Sequence, residues 1–148
     1  MTIRTRRARP ADYDWIIDVV DDWWGRPMAA KLPRLFLDHF WQSSLIAEER
    51  GRQVGFLVGF LSPAEPSEAY IHFVGVDPGV RRRAIGRQLY EEFFQSARNA
   101  GRTEVTAITG SMNHDSIRFH SNLGFRVSEP VAGYNGPETA LVVFHRSL

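Results

Sequence analysis

An α/β domain is indicated by three features of this 148-residue chain. Strand-like and helix-like hydrophobic periods alternate along it in the order strand, two helices, three strands, helix, strand, helix, two strands, which argues for a layered α/β fold around a mixed sheet. The segment 54–61 is apolar on both faces, as a strand in the middle of a sheet must be. The composition, 43% hydrophobic and 12% aromatic with a formal charge of +1, supplies a core and rules against intrinsic disorder. At this length a single domain over residues 1–148 is expected, since no repeat or linker divides the chain.

Residues 2–9 set Ile3, Thr5 and Arg7 against Arg4 and Arg6, a short edge strand with a charged solvent face. Pro10 opens a helix whose apolar positions Trp15, Ile16, Val19, Val20 and Trp23 recur at spacings of three and four, and Gly25 and Pro27 end it. Pro33 suits the first turn of a second helix running through Leu35, Phe36, His39 and Phe40. Strand-like runs follow at 44–48, 53–62 and 68–76. Arg50-Gly51-Arg52 makes the first connection a tight hairpin, and Pro63 with Pro66 interrupts the second. Gly55 and Gly59 mark places where another group comes close. Beyond the turn Asp77-Pro78-Gly79, Ile85, Leu89, Phe93 and Ala97 repeat every four residues as the inner face of a long helix that stops at Gly101. A strand at 104–109, a short helix at 113–123 closed by Gly124, a strand at 125–129, a Gly/Pro-rich loop through Pro137 and a strand at 140–146 complete the order.

The chain has no cysteine, which excludes a disulfide scaffold, a thiol nucleophile and a cysteine-ligated metal. The histidines at 39, 72, 114, 120 and 145 show no ligand spacing, so no metal is expected. The first ten residues lack the apolar run of a signal peptide, and the longest apolar stretch, 56–61, is far short of the roughly 20 residues of a membrane helix. A cytoplasmic protein without membrane contact is therefore expected. A charge near balance speaks against a nucleic-acid partner.

The chemistry concentrates in two segments. In 76–89 a strand delivers the chain into a turn, and Ala84 and Gly86 stand where a helix begins, so its first backbone N–H groups are unshielded. Arg81, Arg82 and Arg83 add positive field, and arginine suits phosphate oxygens. A diphosphate is the natural guest, although the same residues also describe a solvated turn that permits tight packing. No Walker-type loop and no dinucleotide glycine fingerprint occurs. In 113–125, Asn113, Ser116 and His120 fall on one helix face, while Phe119 and Leu123 point to the core; a capping Asn113 and a surface His120 are the plainer alternative.

These segments resemble the two signature motifs of the GNAT superfamily of N-acetyltransferases. The first is similar to the acetyl-CoA signature, with Arg81, Ala84 and Gly86 at its three positions. The second is similar to the Asn-x-x-Ala-x-x-Phe-Tyr-x-x-x-Gly-Phe helix, matched by Asn113, Ser116, Phe119, His120, Gly124 and Phe125. The resemblance covers essentially the whole chain and implies the family's fold, β-α-α-β-β-β-α-β-α-β-β, with the fourth and fifth strands splayed around a pantetheine arm. It implies acetyl-CoA as co-substrate, with Val74, Gly75 and Val76 pairing with pantetheine and the diphosphate on the amides of residues 82–87, Arg82, Arg83, Ala84, Ile85, Gly86 and Arg87. A bulge at Gly75 would aim an amide at the thioester oxygen.

Two departures from the motifs bear on the chemistry. Ala84 stands for the commoner glycine, and His120 for the tyrosine that the family uses as acid toward the departing thiolate. A histidine of ordinary pKa, ~6.5, can serve as that acid at neutral pH. His72 is a candidate base for the attacking amine, and Glu68 and Tyr70 share its face by alternation. Asp21, Asp22 and Trp24, near the end of the first helix, are candidates for holding a cationic acceptor, with Tyr134 on the opposite wall. The expected reaction is direct transfer of acetyl to a primary amine of a small molecule or peptide in a ternary complex. Transfer of another acyl group and a silent CoA-binding sensor are the alternatives, and homodimerisation stays open.

Overall fold

The strand order β1-β2-β3-β4-β5-β8-β6, with β7 on β8, is built from β1 (Arg4–Arg7), β2 (Leu45–Glu49), β3 (Arg52–Leu61), β4 (Glu68–Val76), β5 (Glu104–Gly110), β6 (Arg126–Val127), β7 (Val131–Ala132) and β8 (Ala140–Ser147) in a computed structural model. It describes residues 2–148, except for the side chains of residues 81–83. The helices are α1 (Asp12–Trp24), α2 (Leu35–Phe40), α3 (Ile85–Asn99) and α4 (His114–Asn122). Two compact units are formed, one from residues 1–60 and 71–96, the other from 61–70 and 97–148. Among the described residues no helix is long and apolar enough to cross a membrane.

In the first unit β1 pairs antiparallel with β2, and β2 with β3, through a hairpin whose turn residues Arg50 and Gly51 both have positive φ, 52° and 77°. That left-handed pair matches the twist of the strands it joins. The expected charged solvent face of β1 needs correcting at Arg6. Its guanidinium is held 2.9 Å from both carboxylate oxygens of Asp12 and 3.2 Å from Glu48, fastening the edge strand to the start of α1. α1 buries Ile16 and Val20, four residues apart, and ends at Gly25, whose φ of 72° lets the amides of Gly25 and Arg26 bond back to Asp21 O. The second helix begins at Leu35 instead of Pro33, after a 3-10 turn at Ala29–Lys31. Ile16, Val20, Leu32, Leu37, Ile46, Phe56, Val58 and Phe73 form the core of this unit. β3 is buried over six successive residues, as its two-faced apolar sequence requires. Gly55 has the predicted close neighbours: a Cβ there would stand 3.1 Å from Ile85 Cγ2 and 3.3 Å from Leu89 Cδ1, so its absence admits α3.

In the second unit, Glu68–Tyr70 of β4 pair parallel with Glu104, Val105 and Thr106 of β5. β5 pairs antiparallel with β8 along seven residues, Glu104↔Ser147 to Gly110↔Leu141. Arg102 Nη1 donates to the carbonyls of Ser62, Glu65 and Glu68, tying the proline-containing connection to the start of β5. Val105, Ala107, Leu123, Phe125, Val142 and Phe144 are buried. The strand expected at 125–129 is reduced to Arg126–Val127, prolonged by one bond from Ser128 N–H to Val143 O. Within the loop expected through Pro137, Val131 and Ala132 add a short strand against β8.

Candidate functional site

Along β4, buried residues alternate with partly exposed ones, so Glu68, Tyr70, His72, Val74 and Val76 share the exposed side of the strand. The His72 ring lies flat on Phe36, 3.9 Å between centroids and 8° from parallel. Its Nε2 is 2.7 Å from Lys31 O. A carbonyl only accepts, so Nε2 carries the proton and Nδ1 is the basic nitrogen of the neutral ring. Burial pushes the His72 pKa down, partly offset by the bond to Lys31, which keeps the imidazole neutral at physiological pH.

Two of the residues predicted to face the acceptor, Trp24 and Asp21, have firm structural partners. Trp24 Nε1–H donates to Val74 O at 3.1 Å, and its ring packs on Phe73 with centroids 5.0 Å apart. Asp21 Oδ1 accepts from the amides of Met28 and Ala29 at 2.7 and 2.9 Å, closing the link from α1 to the 3-10 turn. Asp22 is exposed, and its main-chain carbonyl accepts from Gly25.

Gly75 has a packing reason of its own. A Cβ there would stand 2.5 Å from Phe56 Cε1 and 2.6 Å from Cζ, so the flat phenyl ring occupies the space a side chain would need. A register shift occurs in this unit between Ala47 and Glu48, on β2.

After β4, Asp77 Oδ1 accepts from Gly79 N–H at 2.9 Å and starts a 3-10 helix, Pro78–Arg83, where the sequence indicated only a turn. Ala84 then adopts a left-handed conformation, φ 59° and ψ 28°, before α3 begins. That backbone accounts for the glycine common at this motif position, because a Cβ in the left-handed region is strained. Ile85 is fully buried, whereas Gly86 is half-buried. The amides of Ile85, Gly86 and Arg87 belong to the first turn, where no acceptor lies four residues back within the helix. Arg87 Nη1 is 3.6 Å from Glu91 Oε1, an exposed pair. The Arg81, Arg82 and Arg83 side chains lie outside the described residues.

In the second unit Asn113 Oδ1 accepts from Ser116 N–H at 3.2 Å as the N-cap of α4, and its Nδ2 donates to Thr109 Oγ1 at 3.1 Å. His120 is 6% exposed and is stacked on Phe144 at 3.9 Å and 4°. Phe125 meets its edge. Nδ1 is 2.8 Å from Ser116 O and 3.3 Å from Ser116 Oγ, so the proton of the neutral ring is on Nδ1. Burial drives its pKa down to about 4, against the opposing backbone bond to Ser116. With the pKa so lowered, the ring is uncharged at neutral pH, and its one proton is directed to the Ser116 carbonyl. Tyr134 is 52% exposed; burial first, and the charge of the ionised Tyr134 second, raise the Tyr70 hydroxyl to about 12.

Sequence reasoning missed Phe36 and the Lys31 carbonyl. No motif joins them to His72, because only the packing of α2 and the turn before it on β4 makes them neighbours. A recess lined by Thr2, Arg4, Glu48, Arg50 and Gly51 contains none of the predicted site residues. Among the described residues no cluster of side chains could hold a metal ion.

The model of the acetyltransferase (GNAT) family matches residues 13–125. An uncharacterized N-acetyltransferase of Methanocaldococcus jannaschii is 36% identical over 93 residues, which are 60% of this chain and 41% of that protein. The chain spans half or less of the length of the curated relatives it matches. The yncA protein of Salmonella typhimurium, solved with its cofactor acetyl-CoA, has a TM-score of 0.76 at 21% identity, over 100% of this chain and 95% of that one. Diaminobutyrate acetyltransferase of Paenibacillus lautus, in complex with L-2,4-diaminobutyric acid and coenzyme A, has a TM-score of 0.74 at 20% identity, over 97% and 94%. At these identities the likeness to the solved structures is one of fold.

Proposed function

Because the chain belongs to the acetyltransferase (GNAT) family, we propose that it transfers the acetyl group of acetyl-CoA directly to a primary amine of a small molecule or peptide. The observation that carries this reading is the start of α3: a left-handed Ala84, an inward Ile85 and a Gly86 without a side chain in the first helical turn. That donor set fits a diphosphate, since the helix start offers backbone N–H groups and the positive end of its dipole. Arg87, with Arg81, Arg82 and Arg83 from the motif, supplies cationic side chains.

When bound, acetyl-CoA supplies an acetyl thioester open to attack by an amine. Val74, Gly75 and Val76 align the pantetheine arm by backbone pairing; the Val74 carbonyl, already bonded to Trp24, is oriented for it in advance. His72 Nδ1 takes the proton of the incoming amine. Asn113 and Ser116 join the cofactor set on the strength of the motif alone. His120, neutral and stacked on Phe144, is assigned no proton to donate, and the departing thiolate is protonated from solvent. Asp22 and, separately, Tyr134 are kept as acceptor candidates, as the resemblance implies. The diaminobutyrate complex of a protein of the same fold supports an amine acceptor.

A silent CoA-binding domain is the second reading, and the uncharged His120 favours it. Both readings require acetyl-CoA to bind. Acetyl-CoA should therefore raise the melting temperature by mass action, and Gly86→Val should abolish that rise while leaving the unliganded protein folded. A folded Gly86→Val protein that responds like the parent would remove the cofactor from α3.

A further inference from the structure

Asp21 was suggested by the sequence as a ligand for a cationic acceptor, yet its carboxylate is engaged elsewhere. Oδ1 receives two amides, those of Met28 and Ala29, at the entry to the 3-10 turn. That turn continues through Lys31 N–H on Met28 O and Leu32 N–H on Ala29 O, at 2.9 and 3.0 Å. It presents Lys31 O to His72 Nε2 at 2.7 Å. Phe36, one turn further along the chain, covers the face of the same imidazole. We propose that Asp21 is a positioning residue that fixes the Ala29–Lys31 turn, so that the Lys31 carbonyl and Phe36 hold His72 as its Nε2–H tautomer with Nδ1 as the basic nitrogen.

The arrangement solves a problem of neutral histidine. An unrestrained imidazole exchanges between two tautomers and rotates about χ1 and χ2, so its lone pair is rarely aimed at one place. The carbonyl selects the nitrogen that keeps its hydrogen, and the phenyl face selects the ring plane. During the reaction the amine proton passes to Nδ1 as the new N–C bond forms and the thioester C–S bond breaks, the thiolate taking its proton from solvent. The resulting imidazolium keeps its Nε2–H on Lys31 O, a charge-assisted bond stronger than the resting one. Asp21 thus acts at a distance through main-chain geometry, in the way that displacements of about 1 Å far from the chemistry can cost up to 10²-fold in rate.

The proposal rests on the reading of His72 as base, and the two can fail separately. The tautomer is read by nitrogen-15 NMR of the histidine side chains in the unliganded protein near neutral pH, which needs no acceptor and no activity. The parent should show His72 protonated at Nε2. Asp21→Ala should give mixed tautomers and lower kcat about 10-fold with little change in KM for acetyl-CoA. Asp21→Asn retains an acceptor oxygen for the two amides and should recover most of both losses. Phe36→Leu, which leaves the turn intact, should loosen the ring in the same spectrum should Asp21→Ala fold poorly. An Nδ1–H tautomer in the parent would overturn the proposal, as would parent-like spectra in both Asp21→Ala and Phe36→Leu. So would an Asp21→Asn protein as impaired as Asp21→Ala, because that result assigns the effect to charge. If the spectra behave as stated while His72→Gln keeps full turnover, the base reading falls and Asp21 is left as the residue that orders the His72 ring.

Discussion

His120 is where residue type and residue chemistry part. The motif puts it in the place of a proton donor, but α4 turns it onto Phe144, and a ring stacked at 3.9 Å in the core is costly to charge. In the unfolded chain its pKa is near the ordinary ~6.5, and in the fold it is about 4. Between those values the unfolded state holds the proton and the folded state does not. Stability is therefore full above about pH 6.5 and falls by roughly 3 kcal/mol as the pH drops toward 4. His120→Phe keeps a stacked ring and cannot titrate, so urea unfolding of the variant between about pH 7 and 5 should show a flatter decline than the parent. His72, displaced in the same direction, leaves a residual slope. An unchanged decline would mean that the imidazole is charged in the fold. The sequence identified this histidine and its helix face; its protonation state was illegible, because Phe144 lies 24 positions away on β8.

The strands were legible where one hydrophobic period settles the matter and illegible where pairing does. β3 and β4 read directly from a two-faced apolar run and from strict alternation, and the long α3 from its four-residue repeat. β6 and β7 have two residues each, and their existence depends on β8 as a template instead of on any local pattern. Gly75 belongs to this scale too. The resemblance explains a glycine there by an amide turned to the thioester, whereas the packing explains it by Phe56 of the neighbouring strand. The two explanations differ in what they predict. Gly75→Ala should cost about 1–3 kcal/mol by overpacking, and combining it with Phe56→Leu should cost less than the sum of the single changes. Additive costs in a double-mutant cycle would show that the ring is not what excludes a side chain at 75.

For the chain as a whole, the order of elements was readable and the order of strands was not. Placing β8 between β5 and β6, and β1 beside β2, requires pairings between residues far apart in the chain, from Val127↔Phe144 to Arg4↔Glu48, that no short pattern announces. The two motifs carried that information indirectly by pointing to a family, and the family match over residues 13–125 bears out the membership. The roles proposed for individual residues draw only in part on the sequence. Arg81 to Gly86 and Asn113 to His120 stand out as motifs, but Phe36, Lys31 and Asp21 acquire a role only through the packing of the helices and turns around β4. The proposed acetyl transfer is open to mass spectrometry of amines incubated with acetyl-CoA and the purified protein, using a panel of diamino acids, polyamines and peptide N-termini beside a His72→Gln control. It predicts at least one amine gaining one acetyl group with release of free coenzyme A, and that product falling by roughly 10²-fold in the control. Tight binding of acetyl-CoA with no acetylated amine across the panel would contradict it and leave a binding domain in place of an enzyme.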